Sequence, residues 1–239
     1  METLARTGGF SVTVARRRML ETLQHVLQVT GFLDSIMPGG DGHVASVRVR
    51  LLHAAVRQRI LALAEQKPEY YSVKEFGVPA NDLDGIATIH SFSTVIIWIG
   101  LPRQGIWLKD QEIDDYIALW RLVSHYMGSP TDPFRTREIS RATMESVVLA
   151  ESQPSEMSTV LAKNIILSLE NTPPTYASKE FMEAMARQLN GKQLSDGLDI
   201  PRPSIYYRAL VYGYCVFVMT FAFVLRVFPS LDRKAIAVR

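Results

Sequence analysis

Apolar residues recur every third or fourth position along almost the whole chain, and strand-like alternation is scarce. This spacing places apolar side chains on one face of successive helices. Glycine and proline clusters interrupt the pattern and predict the boundaries between helices. We therefore expect an all-α fold, a multi-helix bundle of about eight helices with a globin-like general character. The predicted helices lie near residues 11–29, 43–66, 81–100, 110–127, 135–151, 156–170, 178–190 and 203–227.

The composition narrows the class of protein. The chain has 239 residues, enough for one large domain with a sizeable core. Its 26 basic and 24 acidic residues leave a net charge of +2, which argues against a dedicated nucleic-acid-binding protein. The single cysteine, Cys215, excludes an intrachain disulfide and fits a reducing compartment. The segment before Phe10 lacks the apolar core of a signal peptide, so we do not expect secretion.

The last predicted helix differs from the others because residues 209–225 carry no charge. This length is close to the lower limit for a membrane-spanning helix, and the tyrosines at its start resemble an interfacial belt. A core helix buried on all sides and a helix lying in the membrane interface are the alternatives. We divide the chain here, into a helical domain at 1–204 and a hydrophobic C-terminal helix and tail at 205–239.

The most specific chemical pattern surrounds His53, in the second predicted helix. Arg50 lies three positions before this histidine and Arg57 four positions after it, so all three side chains share one side of the helix. A neutral imidazole can bind a metal, and guanidinium groups hold carboxylates. The pattern suggests a haem site, with iron on His53 and propionates on Arg50 and Arg57. A lone histidine is by default a hydrogen-bonded core residue, and Asp82 and Asp84 are alternative partners for the arginines.

The sequence R-x-R-L-L-H-A-A-V-R at 48–57 resembles the haem-binding segment of the latex-clearing proteins, or rubber oxygenases. It equally resembles their fungal relatives, the endoplasmic-reticulum-bound oxygenases of the mycophenolic acid pathway type. Residues 18–22 lie where that family has a distal R-x-x-K-T block, with glutamate here in place of the lysine. Residues 76–92 and 119–121 resemble the fungal branch. Together these blocks extend the resemblance over residues 8–130.

The resemblance implies a b-type haem with His53 as the proximal ligand of its iron. It also implies a distal side formed by Arg18, Glu21 and Thr22. Glu21 would be an acid or base near the oxygen reactant, and Arg18 and Thr22 would donate hydrogen bonds. The residues themselves leave an alternative, in which this polar stripe is the wet side of a helix and Glu21 pairs with Arg17 or Arg18.

The resemblance further implies a haem b-dependent oxygenase that cleaves a C=C bond of an isoprenoid or other apolar secondary metabolite with O₂. A haem oxidoreductase that hydroxylates or rearranges its substrate is one alternative, and a haemless accessory or structural relative is another. Family members carry further residues before the first block, so we expect this chain to lack the family's N-terminal helices. The fungal branch implies the endoplasmic reticulum membrane, with a cytoplasmic location as the alternative. His90, in a very apolar helix, is expected in the core.

Overall fold

The computed structural model describes residues 11–151, 153–173, 175–228 and 230. Helices make up most of this part of the chain, and no strand occurs in it, which confirms the predicted all-α class. The α-helices are α1 (Val12–Thr30), α2 (Leu33–Ile36), α3 (Asp41–Gln66), α4 (Val73–Phe76), α5 (Asp82–Phe92), α6 (Asp110–Met127), α7 (Arg137–Glu151), α8 (Glu156–Leu169), α9 (Lys179–Asn190), α10 (Lys192–Gly197) and α11 (Ile205–Val227). A π-helical turn covers Ile96–Gly100, and short 3₁₀ turns cover Pro102–Gln104 and Asp132–Phe134.

Most of the predicted helix boundaries lie close to the observed ones because capping side chains define them. At the start of α5, the Asn81 side chain accepts a hydrogen bond from the Asp84 amide, and the Asp84 carboxylate accepts one from the Asn81 amide. The predicted helix at 81–100 is the exception, since it divides into α5 and the π-helical turn Ile96–Gly100. Between them, the Ser93 hydroxyl donates to a backbone carbonyl of the preceding turn, which competes with regular helical pairing.

The main core surrounds Trp120 of α6, which is 1% exposed. Side chains from α1, α2, α5, the π-helical turn and the Asp132–Phe134 turn pack around it. They are Val29, Ile36, Ile89, Ile97, Ile117, Val123 and Phe134. A second, smaller core joins α9 to α11 through Ala184, Val211 and Cys215. The three long helices α1, α3 and α6 pack in succession.

Two segments are long and apolar enough to cross a membrane by length and composition, Asp82–Gly100 and Ile205–Val227. Their mean hydropathies are 1.3 and 1.9, and their buried shares are 28% and 11%. The alternative in which the last helix is buried on all sides is wrong for α11, because most of its surface stays uncovered. Residues 231–239 of the predicted C-terminal unit lie outside the described residues.

Candidate functional site

Helices α1 and α3 approach each other closely near the start of α3. A Cβ atom on Gly42 would come within 2.8 Å of the Gln28 carbonyl oxygen, so glycine is needed for this approach. One turn further along α3, His25 Nε2 lies 3.0 Å from the hydroxyl of Ser46, which is fully buried. Later residues of α3 thus meet earlier residues of α1, and the two helices run antiparallel.

His53 lies on the stripe of α3 that faces α1. Ser46 and Ile60, each seven positions from His53 and therefore on the same stripe, are 0% and 2% exposed. The His53 side chain between them is exposed. His53 is therefore exposed between two buried positions of this stripe, within a stretch of α3 at 50–55 whose residues are all exposed; this stretch is called the opening below.

The surroundings of His53 keep its imidazole neutral. Although one side of the ring is open, the protein packed around it lowers the pKa through desolvation, and the positive charge of Arg57 lowers it further. Asp84 raises this pKa and Arg18 lowers it, as weaker influences. In the part of the chain that the structure describes, no hydrogen bond or ion pair engages the ring. A nitrogen of a neutral imidazole is therefore available as a metal ligand.

The guanidinium of Arg57 contacts the backbone instead of a carboxylate. Its Nε donates to the Pro79 carbonyl oxygen at 3.1 Å, and its Nη2 donates to the Ala80 carbonyl oxygen. Ala80 has a φ of +53°, an unfavourable value for a residue with a Cβ atom. The hydrogen bonds of Arg57 thus stabilise the strained turn that leads into α5. In the structure the donors of Arg57 serve these two backbone carbonyls, and its role as a propionate partner stays a prediction.

Arg50 stays available for a carboxylate. Its guanidinium lies against Gly128 at the end of α6, where a Cβ atom would come within 2.8 Å of Nε. The side chain is exposed and has no hydrogen bond or salt bridge within the described ranges. The suggested partners Asp82 and Asp84 form no salt bridge with either arginine there.

On α1, the distal candidate Arg18 lies opposite the opening. The antiparallel register set by His25 and Ser46, continued by two turns in each helix, brings Arg18 to face His53. The charge of Arg18 is among those that lower the pKa of His53, which agrees with this placement. Thr22, one turn away on the same face, is half-buried.

Glu21 has a different environment from Arg18 and Thr22. Its carboxylate lies 3.4 Å from Nε of Arg17, and the two side chains are 60% and 75% exposed. The structure therefore shows Glu21 in the surface pair that the sequence left open as the alternative to a distal acid. A distal role would require this carboxylate to leave Arg17.

His90 lies in the core, as expected, and its partner there is a threonine. Its Nδ1 is 2.7 Å from the Thr94 hydroxyl oxygen, and its ring packs against Phe134 at 4.5 Å between centroids. The residue is 1% exposed, and burial lowers the pKa of its imidazole to about 4. His90 is thus a neutral structural histidine, remote in role from the opening at His53.

Sequence reasoning gave no role to one histidine on the face of Arg18. His25 contacts Ser46, and both burial and the proximity of His53 lower its pKa. The signal was present, because His25 follows Arg18 by seven positions and therefore shares its helical face. The spacing places His25 near His53 only when the register of α1 against α3 is known.

The chain is similar to proteins of known family and structure. The chain matches, over residues 1–220, the family described as ER-bound oxygenase mpaB/B′/rubber oxygenase, catalytic domain. It is 22% identical to the rubber oxygenase of Streptomyces sp. (strain K30) over 185 residues, which covers 75% of this chain and 43% of that protein. The structure of latex clearing protein LCP in the closed state shares the fold, with a TM-score of 0.72 at 19% identity. That match covers 90% of this chain and 57% of the other, so the chain spans about half the length of these relatives.

Proposed function

Because the chain belongs to the family of ER-bound mpaB/B′ oxygenases and rubber oxygenases, we propose that it is an oxygenase whose b-type haem is bound by His53. The observation that carries this proposal is the opening at His53. Ser46 and Ile60 are buried on either side of His53, while the histidine between them is exposed. Haem sites in helical bundles are built from side chains on facing helices, and this exposed histidine leaves a planar cofactor free to approach its ring.

The residues around the opening fit a haem. His53 offers a neutral imidazole without a competing hydrogen bond, which is what an axial ligand requires. Among the described residues, no group of three or more His, Cys, Asp or Glu side chains could hold a metal ion. A haem iron needs only one such ligand on this side, since the porphyrin supplies the others. Arg50 is the arginine placed to pair with a propionate, and Arg57 would position the turn beside it.

The opposite helix supplies the distal side. When bound, the haem would bind and activate O₂. Arg18 would donate hydrogen bonds and stabilise negative charge that develops on the oxygen reactant, and Thr22 would add a neutral donor. Next to His53, the side chains of Leu51 and Leu52 are 63% and 58% exposed and offer an apolar surface to a substrate. We therefore propose an isoprenoid or similar apolar substrate, cleaved at a C=C bond into two carbonyl products.

The same proposal includes a membrane location, because α11 carries a long uncovered apolar surface. The family's description as ER-bound supports the endoplasmic reticulum as that location. A membrane would also be the phase in which an apolar substrate concentrates.

An absorption spectrum of the purified chain tests the cofactor. We expect a Soret band at about 400 nm in the parent, as for ferric haem proteins. His53→Ala should fold but lack the band, while the matched variants His43→Ala and His125→Ala should retain it. A colourless parent supplied with haem would support the haemless alternative, and full haem content in His53→Ala would refute the ligand assignment.

The reaction requires a separate assay. The haem-loaded protein is incubated with an isoprenoid under O₂, and the products are identified by mass spectrometry. Carbonyl fragments support C=C cleavage. Hydroxylated or rearranged products of unchanged carbon number would instead support the oxidoreductase that does not cleave.

A further inference from the structure

We propose that α11 lies flat on an anionic membrane surface, and that a basic cleft at its N-terminal end binds a lipid phosphate. This inference rests on the proposed membrane location and adds to it an orientation and a headgroup class. It follows from three features of α11: its covered inner stripe, its exposed outer stripe and the charges at one end.

The inner stripe of α11 contacts the rest of the protein at points along the helix. Val211 and Cys215 are buried in the second core, against α9. One turn on, the sulfur of Met219 lies so near Gly105 that a Cβ atom there would come within 2.9 Å of it. In the last turn, Arg226 donates to the Trp107 carbonyl oxygen at 3.1 Å.

The contacts between α11 and the rest of the protein make it unfavourable for this helix to span a membrane. The neighbours that cover α11 carry charges, which a spanning helix would draw into the hydrocarbon region. Arg226 pairs with Glu112 at 2.8 Å, and Arg103 donates to the carbonyl oxygen of Leu189 at the end of α9. A helix that lies in the plane of the interface keeps these groups on the protein side.

The outer stripe faces away from the protein and is apolar. Its members recur at helical spacing on the face opposite Val211 and Cys215. They are Tyr206, Leu210, Phe217 and Phe221, and each is at least 40% exposed. A continuous exposed stripe of aromatic and aliphatic side chains is typical of a surface that binds a partner. With no charge between residues 209 and 225, and tyrosines toward one end, the interface of a lipid bilayer fits it best.

The basic cleft lies where α9, α10 and α11 meet. It has a volume of about 410 Å³, and its lining includes Arg187, Lys192, Arg202 and Arg208 but no acidic residue. Asp196, beside the cleft, pairs with Arg187 at 2.5 Å and with Arg202 at 3.6 Å. Within the described ranges, Lys192 and Arg208 have no salt bridge or side-chain hydrogen bond, so the cleft keeps a positive excess that an anion can neutralise.

The cleft and the outer stripe are adjacent on the same helix. Arg208 lines the cleft, and the uncharged segment begins at the next residue. A phospholipid whose phosphate occupies the cleft can therefore place its acyl chains along α11. Each basic side chain at a membrane surface strengthens attraction to anionic lipid by about fivefold.

Vesicle binding of the full chain tests the cleft. The vesicles contain phosphatidylcholine alone or phosphatidylcholine mixed with phosphatidylserine. The parent should bind both and prefer the anionic vesicles by about tenfold or more. Lys192→Gln combined with Arg208→Gln should keep the binding to neutral vesicles and lose most of this preference. Lys74→Gln combined with Arg141→Gln removes the same charge elsewhere on the surface and should keep it.

Each outcome separates the two proposals. Equal binding of the parent to both vesicles, or an equal loss in the control pair, overturns the headgroup cleft and leaves the membrane location standing. Absence of binding to either vesicle overturns both. Inorganic phosphate at millimolar concentration should reduce the preference for anionic vesicles in the parent, and an unchanged preference would overturn a cleft that recognises the phosphate group.

Depth measurements test the orientation. In a Cys215→Ala background, Leu210→Cys and Phe221→Cys are labelled with a fluorophore and quenched by spin-labelled lipids. A helix in the interface places both labels at the same shallow depth. Labels at clearly different depths would show a spanning helix and refute the flat orientation.

Discussion

The buried ring of His90 should make the stability of the fold depend on pH. Burial lowers the pKa of this imidazole from 6.5 to about 4. In the unfolded chain the ring takes up a proton below about pH 6.5, whereas in the folded chain it stays neutral down to about pH 4. The free energy of unfolding therefore decreases as the pH falls from 6.5 to 4. Above pH 6.5 the neutral His90 makes its full contribution to that free energy.

The size of the effect follows from the two pKa values. A pKa difference of one unit corresponds to about 1.4 kcal/mol of unfolding free energy. The difference between 6.5 and about 4 for His90 therefore corresponds to about 3 kcal/mol. Between pH 7 and pH 4.5 the unfolding free energy should fall by about 2 kcal/mol on account of His90 alone. In a chain of this size that is a decrease of about 4–8 °C in Tm.

The substitution His90→Gln isolates this contribution, because the amide can keep a hydrogen bond to Thr94 without titrating. Urea unfolding is measured at pH 7 and pH 4.5 for the parent, for His90→Gln and for His125→Gln, whose histidine is exposed. The loss between the two pH values should be smaller by about 2 kcal/mol in His90→Gln and unchanged in His125→Gln. An equal loss in the parent and in His90→Gln would refute the reasoning.

Four further substitutions probe the site and the helix contact beside it. Arg57→Met should lower the unfolding free energy of the haem-free protein by about 2–3 kcal/mol, because two backbone carbonyls lose a charged donor; Arg50→Met should leave that stability unchanged and weaken haem retention by about 1–3 kcal/mol. Glu21→Gln should change neither haem content nor stability by more than about 0.5 kcal/mol, since its ion pair is exposed; a fall in turnover with loss of acid-range pH dependence would show that this carboxylate serves the distal side. Gly42→Ala should cost about 1–3 kcal/mol in urea unfolding through overpacking against α1, and an unchanged midpoint would show that the helices separate freely.

The helices could be predicted from the sequence because their signals are local. Apolar spacing defines a helix, and residues such as Asn81 define where it begins. The division of the predicted helix at 81–100 was not predictable in the same way. At this point the backbone of Ser93 leaves the helical region, with φ −120° and ψ −87°, inside an otherwise apolar segment. The uncovered surface of α11 could not be predicted from the sequence either. An apolar helix has the same sequence pattern whether its neighbours cover one side of it or all sides.

The site required tertiary information. The motif around His53 is local, but whether its imidazole is buried, paired or open depends on the register of α1 against α3. That register follows from a close backbone approach at Gly42, which no spacing reveals. The partners of Arg57 lie more than twenty positions further along the chain, in a turn whose conformation is itself irregular.

The contacts of Arg57 explain how its charge acts on His53. An arginine paired with a carboxylate has most of its field cancelled by the partner, whereas one bonded to neutral carbonyls keeps it. Arg57 is bonded to the carbonyls of Pro79 and Ala80, and its charge is the second cause, after burial, that lowers the pKa of His53. Asp84, the nearby carboxylate that opposes it, is held in the capping box of α5. The turn before α5 therefore keeps the two charges apart, and this separation favours the neutral imidazole that a metal ligand must have.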